Sequence, residues 1–349
     1  MLNKEFFVEG QPSELSLFDL PPTQVGVENI RIENVRPTST ISDSSPILFD
    51  ISGQNGLEYL DLFNSQIHVT LRVLHDDNSV LGVSEDVAPV NLFLQSLFSQ
   101  IDVSIQGKAL STTSGYYPYK AYIQTLLRYG SDAKQSQLST QLWLKDTSGH
   151  FDDVDFSNGD NTNGIVRMSY IQESKLLDLQ GPIMHDLFQS SCPNKLIIAF
   201  INSEATGVGN LTRNPWNFQN YNLSQIGLSV DGIPVNGGPL QLSYNNKTGC
   251  TVVEVLSNLL MTTRKWLNDE GIDINRDDIP SGYALYAFDT QPDFDGNEYL
   301  SLKKQGSLRI DAVFNTALPH TVNCIVLAER QGYFEISQSR DVILNSDGY

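Results

Sequence analysis

Cysteine is scarce in this chain of 349 residues: Cys192, Cys250 and Cys324 are odd in number, widely spaced and free of any CxxC pair. That argues against a disulfide framework and a cysteine zinc site, and it predicts buried free thiols in a reducing compartment. Basic residues are outnumbered too, with 22 Lys and Arg against 41 Asp and Glu, a net charge of −19. Binding to phosphates draws its affinity from clustered Lys and Arg, so direct contact with nucleic acid is not expected, and the acidity is read as a solubility device. Long apolar runs are missing as well. No stretch approaches the roughly 20 residues a membrane-crossing helix needs, and Met1-Leu2-Asn3-Lys4-Glu5 lacks the basic and apolar parts of a signal peptide. Synthesis in the cytosol is the expectation, with the sequons at Asn210, Asn222 and Asn246 unused.

The signatures of chemistry are also absent. HExxH, G-x-S-x-G and the GxxxxGK[ST] phosphate loop do not occur. His68, His75, His150, His185 and His320 are scattered with no partner at ligand spacing, which favours structural or surface roles. The acidic loop over 147–164 fails the EF-hand pattern, because Asn158 stands where the glycine is required after Asp153 and no Glu closes the loop. The acids at 268–273, at Asp277-Asp278 and at Asp289, Asp293 and Asp295 read as solvated helix exits and turns. No catalytic, cofactor-binding or metal-ligating residue is assigned, and no enzyme is expected.

What is present is a duplication. Ser99-Gln100-Ile101-Asp102-Val103-Ser104-Ile105-Gln106-Gly107 recurs as Ser224-Gln225-Ile226-Gly227-Leu228-Ser229-Val230-Asp231-Gly232, at an offset of 125 residues. Both are strands written in period two, with Ile101, Val103 and Ile105 or Ile226, Leu228 and Val230 on the inner face and a glycine in the closing turn. Trp143-Leu144-Lys145-Asp146 recurs as Trp266-Leu267-Asn268-Asp269, and Gln180-Gly181 with Asp186 and Phe188 recurs as Gln305-Gly306 with Asp311 and Phe314. A period this long indicates two folded units rather than an array of small repeats.

Taken in order, residues 1–25 form an arm with Leu15, Leu17, Phe18 and Leu20 before Pro21-Pro22, docked either on its own domain or on a neighbouring copy. Strands are predicted at 30–35, 47–51 and 66–74, the last with Ile67, Val69, Leu71 and Val73 inward. Helices are predicted at 116–129, ended by Gly130, and at 251–267. Further strands fall at 196–200, 283–288, 307–314, 321–329 and 333–336. Many short strands with Gly, Pro and Asn turns indicate an all-β chain of jelly-roll β-sandwich units with short helices in loops. The division expected is an arm at 1–25, a first roll at 26–190 and a second at 191–349.

Several strings carry a resemblance. They are Leu17-Phe18 with Pro21-Pro22-Thr23-Gln24, Glu58 to Leu62, Ala88-Pro89-Val90-Asn91 to Gly107, Tyr117 to Ile123, Asn214-Pro215-Trp216-Asn217-Phe218, Gly282-Tyr283 with Ala287-Phe288-Asp289 and Pro292-Asp293, and Leu308-Arg309 to Phe314. With them the chain resembles the double jelly-roll, hexon-like major capsid proteins of Polinton (Maverick) elements and adintoviruses. The resemblance implies two rolls in tandem, three chains forming a pseudo-hexagonal capsomer, capsomers tiling an icosahedral virion, penton and cement proteins as further partners, and no cofactor. It also implies a longer junction than Gln189 to Lys195, so that the second roll is short of strands here. Alternatives are a minor capsid or penton protein of the same particle, and a carbohydrate-binding β-sandwich using Tyr116, Tyr117 and Trp216 as a platform.

Overall fold

The computed structural model describes residues 25–27, 29–42, 45–51, 60–62, 64–111, 115–155, 159–183, 193–206, 210–245, 249–266, 268–290, 306–329, 334–337, 339 and 341–344. The arm up to residue 24, His185, Asp186, Phe188, Cys192, Asn246, Asp293, Asp295 and the junction residues 189–192 lie outside these.

In chain order the elements are β1 (Gln66–Leu71), α1 (Phe93–Ser96), β2 (Val103–Ile105), β3 (Lys108–Ser111), α2 (Tyr117–Arg128), α3 (Ser131–Gln135), α4 (Thr162–Ile171), β4 (Leu177–Pro182) and β5 (Lys195–Asn202). There follow β6 (Leu223–Val230), β7 (Ile233–Pro234), β8 (Leu240–Gln241), β9 (Ser243–Asn245), β10 (Gly249–Thr251), α5 (Val253–Thr262), β11 (Leu285–Asp289), β12 (Leu308–Phe314), β13 (Val322–Glu329), β14 (Phe334–Ile336) and β15 (Val342–Leu344). Strands dominate and the helices are few and short, as the punctuation of the sequence predicts. Among the described residues no helix is long and apolar enough to cross a membrane.

Contacts divide the chain into residues 1–61 and 62–349. In the first unit the strands expected at 30–35 and 47–51 are not formed. Both segments lack a ladder partner among the described residues, and an alternating sequence becomes a strand only where an edge receives it. They are tied at one point: Thr38 N–H donates to Leu48 O at 2.8 Å, Leu48 N–H donates to Ser39 Oγ at 2.9 Å, and Ser39 Oγ donates to Pro46 O at 3.1 Å.

The second unit repeats one order of elements. A strand, β1 or β5, comes first. It is followed by a signature hairpin, β2–β3 or β6–β7, then by a helix, α2 or α5, then by a strand, β4 or β11, that returns to pair antiparallel with the first. The hairpins share their turn. Gln106 and Gly107 have φ of 52° and 74°, Asp231 and Gly232 have φ of 51° and 81°, and two successive positive values are the mark of the turn that matches strand twist. The predicted inward residues of the first signature are half-buried, and Ile226 and Leu228 of the second are buried.

Two sheets enclose the main core. One has the order β11-β5-β13, the other β12-β6-β7 with β8 also against β6, and every pair is antiparallel. Phe200 of β5 meets Phe314 of β12 edge-on at 5.4 Å between ring centres, and Tyr244 bonds Tyr286 of β11 through their hydroxyls at 2.8 Å, so these two sheets face each other. The chain crosses between them repeatedly, from β5 to β6, from β8 to β11, from β11 to β12 and from β12 to β13. The buried cluster takes residues from both sides of residue 190, from Leu92 and Tyr122 through Ile198 to Phe288.

Helix boundaries differ from the periodicity. α2 buries Tyr122, Ile123, Leu126 and Leu127 as predicted, but Gly130 is extended at φ −79° and opens α3 rather than capping α2. α5 stops at Thr262, five residues short of the prediction, because Arg264 turns left-handed at φ 60°. The two tryptophans of the repeated motif then part company: Trp143 is 2% exposed and Trp266 is 52% exposed.

Candidate functional site

Two regions stand out, one closed and one open. The closed one gathers around α2. Trp216 lies flat on Tyr122 at 4.4 Å with 4° between planes, Trp143 stacks on the same tyrosine at 5.4 Å, and the Trp216 indole N–H donates to Asn91 O at 3.0 Å. Beside them Arg167, on α4, donates to Asp146 Oδ1 at 2.6 Å, to Leu144 O at 2.6 Å and to Pro89 O at 3.0 Å. Both charged side chains are almost wholly buried. The planar guanidinium suits this role, since it spreads donors toward three acceptors at once. Tyr283 donates to Asp146 O at 2.7 Å, and burial holds the hydroxyls of Tyr122 and Tyr283 well above their ordinary pKa, so both stay neutral. This arrangement is buried and offers a substrate no approach, although Asp146 Oδ2, the Tyr122 hydroxyl, the Trp143 indole nitrogen and the Asn91 amide nitrogen find no hydrogen-bond partner within it.

Lys134 is the one amine with a strongly shifted pKa among the described residues. Desolvation lowers it to about 7, with Asp273 acting the other way. An amine of that kind suits proton transfer or imine chemistry when a substrate can reach it. Here Nζ donates to Leu126 O at 2.9 Å and Ile272 O at 2.6 Å, sits 5.3 Å from the centre of the Trp143 ring, and is 3% exposed. It ties the end of α2 to residue 272.

The open region is the side of the sandwich bounded by β12 and β13. Directly opposed residues of an antiparallel ladder share a face. Cys324 and Val326 therefore lie on the face of Phe200 and Ile198, and Ile310 and Ala312 on the face of Leu228 and Ile226. That face points between the sheets, yet Val326 is 42% and Ile310 37% exposed, and Cys324 and Ala312 are exposed as well. On the far side of the same sandwich, Tyr286 and Phe288 of β11 are fully buried. No described residue pairs with the outer edge of β12 or of β13. The result is an apolar slot flanked by two strand edges that no described residue pairs, equipped for backbone pairing and apolar contact rather than for bond-breaking.

The residues considered from sequence are dispersed. His68 Nε2 lies 2.5 Å from Asp178 Oδ1 on an exposed strand face, His75 pairs with Glu85 at 3.0 Å, His150 lies 4.0 and 3.9 Å from Asp153 and Asp160, and His320 meets Tyr221 edge-on. No group of three metal-binding side chains forms among the described residues. Three expectations need correction. Cys324 is not a buried thiol but an exposed one on an edge strand, although its neighbours desolvate the sulfur enough to raise its pKa. Asp278 is not a solvated turn acid. It is buried, receives hydrogen bonds from Lys145 Nζ at 2.9 Å, from Asn275 N–H at 3.0 Å and from Ser148 Oγ, and anchors the loop before it. Tyr117 and Trp216 cannot form a surface platform with Tyr116, because both are buried and only Tyr116 is exposed. Arg167 and Lys134 escaped sequence reasoning, since a lone basic residue in an amphipathic stretch carries no sign that it will be buried.

No known family profile matches the chain, and no solved structure matches it. It is similar to a protein of Caenorhabditis elegans named "Uncharacterized protein F54H12.2", with 20% identity over 420 positions that take in 94% of this chain and the whole of that one. Since 94% of 349 residues is about 328, about 92 of the aligned positions have no residue of this chain opposite them.

Proposed function

We propose that this chain is a shell-forming structural protein of the double jelly-roll kind, a major capsid subunit that self-associates into trimers and works by assembly rather than catalysis. The observation that carries the reading is the repeated order of strand, signature hairpin, helix and returning strand, with the same left-handed pair at 106–107 and 231–232. An eight-stranded roll alternates between two facing sheets. Among the described residues the succession β5, β6, β7 with β8, β11, β12 and β13 supplies six positions of such a roll, and the two not supplied there are neighbours for β12 and β13. On this reading the virion is the protein's destination, and penton and cement proteins are its further partners. The net charge of −19 suits a shell whose genome is held by other components.

Light scattering on the purified full chain, followed by electron microscopy, tests this. The expected mass is about 116 kDa, three times the chain's 38.8 kDa, with three-fold particles in the images. A monomer of constant mass across a hundred-fold concentration range, with no particles, would overturn it.

A further inference from the structure

We propose that the slot between β12 and β13 is filled by residues 30–35 and 47–51 of a second copy of this chain, each segment adding a strand to one of the two open edges. This does not rest on the shell reading, since copies could exchange strands without building a shell, and a trimer could form without exchange.

The acceptor has three properties that define its ligand. Along two edges, those of β12 and β13 in opposite sheets, it presents backbone donors and acceptors that no described residue pairs. Between the edges lie Ile310, Ala312, Cys324 and Val326, apolar or weakly polar side chains that point inward and are left exposed. Finally, the neighbouring strands β5 and β6 are already paired on both sides, so only the outermost positions remain to be occupied. Two short strands, apolar on alternate residues and joined by a loop that can pass from sheet to sheet, would satisfy all three.

The chain carries such a pair. Ile30 and Ile32 alternate with Arg31 and Glu33, and Ile47, Phe49 and Ile51 alternate with Leu48 and Asp50, so each segment has an apolar face for a sheet interior. Neither is in a strand, and their apolar residues are exposed, from 36% at Ile47 to 91% at Ile32. Eleven residues, 36–46, connect them, which is ample for the roughly 10 Å between facing sheets. The hydrogen bonds of Thr38 and Ser39 with Pro46 and Leu48 close that loop on itself. An exposed strand pattern in one unit and an unpaired edge in another are the ingredients of exchange between identical chains.

The test uses the exposed Cys324 as a reporter. Two full-length chains are co-expressed with different tags, both carrying Cys192→Ser and Cys250→Ser. One carries Ile32→Cys with Cys324→Ser and the other keeps Cys324, so only a contact between copies can form a disulfide between positions 32 and 324. Mild oxidation should give a covalent species carrying both tags. Ile30→Cys should behave alike where 30–35 lies beside β13, and Phe49→Cys should give the species in its place where 47–51 does. Val326→Asp in the acceptor should abolish the species. The proposal is overturned if no position gives the two-tag species while circular dichroism shows the native strand content. It is equally overturned if the link forms only when both cysteines are in one chain, which would make the occupant the chain's own segment.

Discussion

Ile198 and Val326 face each other across one rung of the β5–β13 ladder, yet the first is wholly buried and the second is 42% exposed. The backbone geometry is the same for both. What differs is the neighbour beyond: Ile198 has β11 on its other side, whereas Val326 has no described strand next to it. Burial in a sheet is thus set by position in the strand order more than by the residue itself, and the same contrast divides the whole sandwich. Its β11 side is sealed by aromatic rings, as the region around α2 is by rings and a buried ion pair, and its β12–β13 side ends on apolar residues in contact with water.

The sharpest break of this contrast comes from the closed side. Arg167→Ala strands the buried Asp146 carboxylate and removes three hydrogen bonds, and should cost about 3–5 kcal/mol of stability in urea unfolding. A loss below about 1 kcal/mol would show that the pair is less enclosed than the structure makes it. A finer comparison sets the two opposed residues against each other. Ile198→Ala should cost about 2–5 kcal/mol, and Val326→Ala less than about 1 kcal/mol when the chain is dilute and single, because little surface there leaves water on folding. Equal losses would close the slot and remove the contrast.

The smallest effect concerns acid. Burial alone would raise the Asp278 carboxyl, but hydrogen bonds from Ser148, Lys145 and the Asn275 backbone outweigh it and hold the pKa below the ordinary 3.8. The folded chain therefore binds this proton less readily than the unfolded one. Its contribution is present above the unfolded value and is lost as pH falls through the folded one. Melting temperature should decline from about pH 5 toward pH 3, more steeply in the wild type than in Asp278→Asn.

Strand periodicity was legible where a partner exists to receive it. The alternation of Ile67, Val69 and Leu71 appears in β1, and the two signature strings appear as hairpins with equivalent turns. The same alternation at 30–35 and 47–51 led to strands that are absent, because a pattern of side chains says which face would be buried and not whether an edge is there to bury it. The repeated Trp-Leu-x-Asp motif misled for a related reason. Trp143 is held by Tyr122 and Lys134, groups brought from α2 and α3, and Trp266, which follows a helix that ends at Thr262, is 52% exposed. The open slot itself could not be read in advance, since it arises from which strands lie side by side at separations near a hundred residues.

That separation has a consequence in time. β5 is the most apolar strand of the sandwich, and its partners are β11, which begins at residue 285, and β13, which ends at residue 329. At the usual pace of about 5–20 residues per second, the ribosome needs roughly 6–25 s after finishing Asn202 to deliver the last of them. Throughout that interval Leu196 to Ile201 stay without their ladder partners in a chain that already carries the exposed apolar residues of its first unit. Synthesis of many copies side by side therefore sets a race between completing β13 and pairing with a neighbour, and the rate of elongation becomes a determinant of yield.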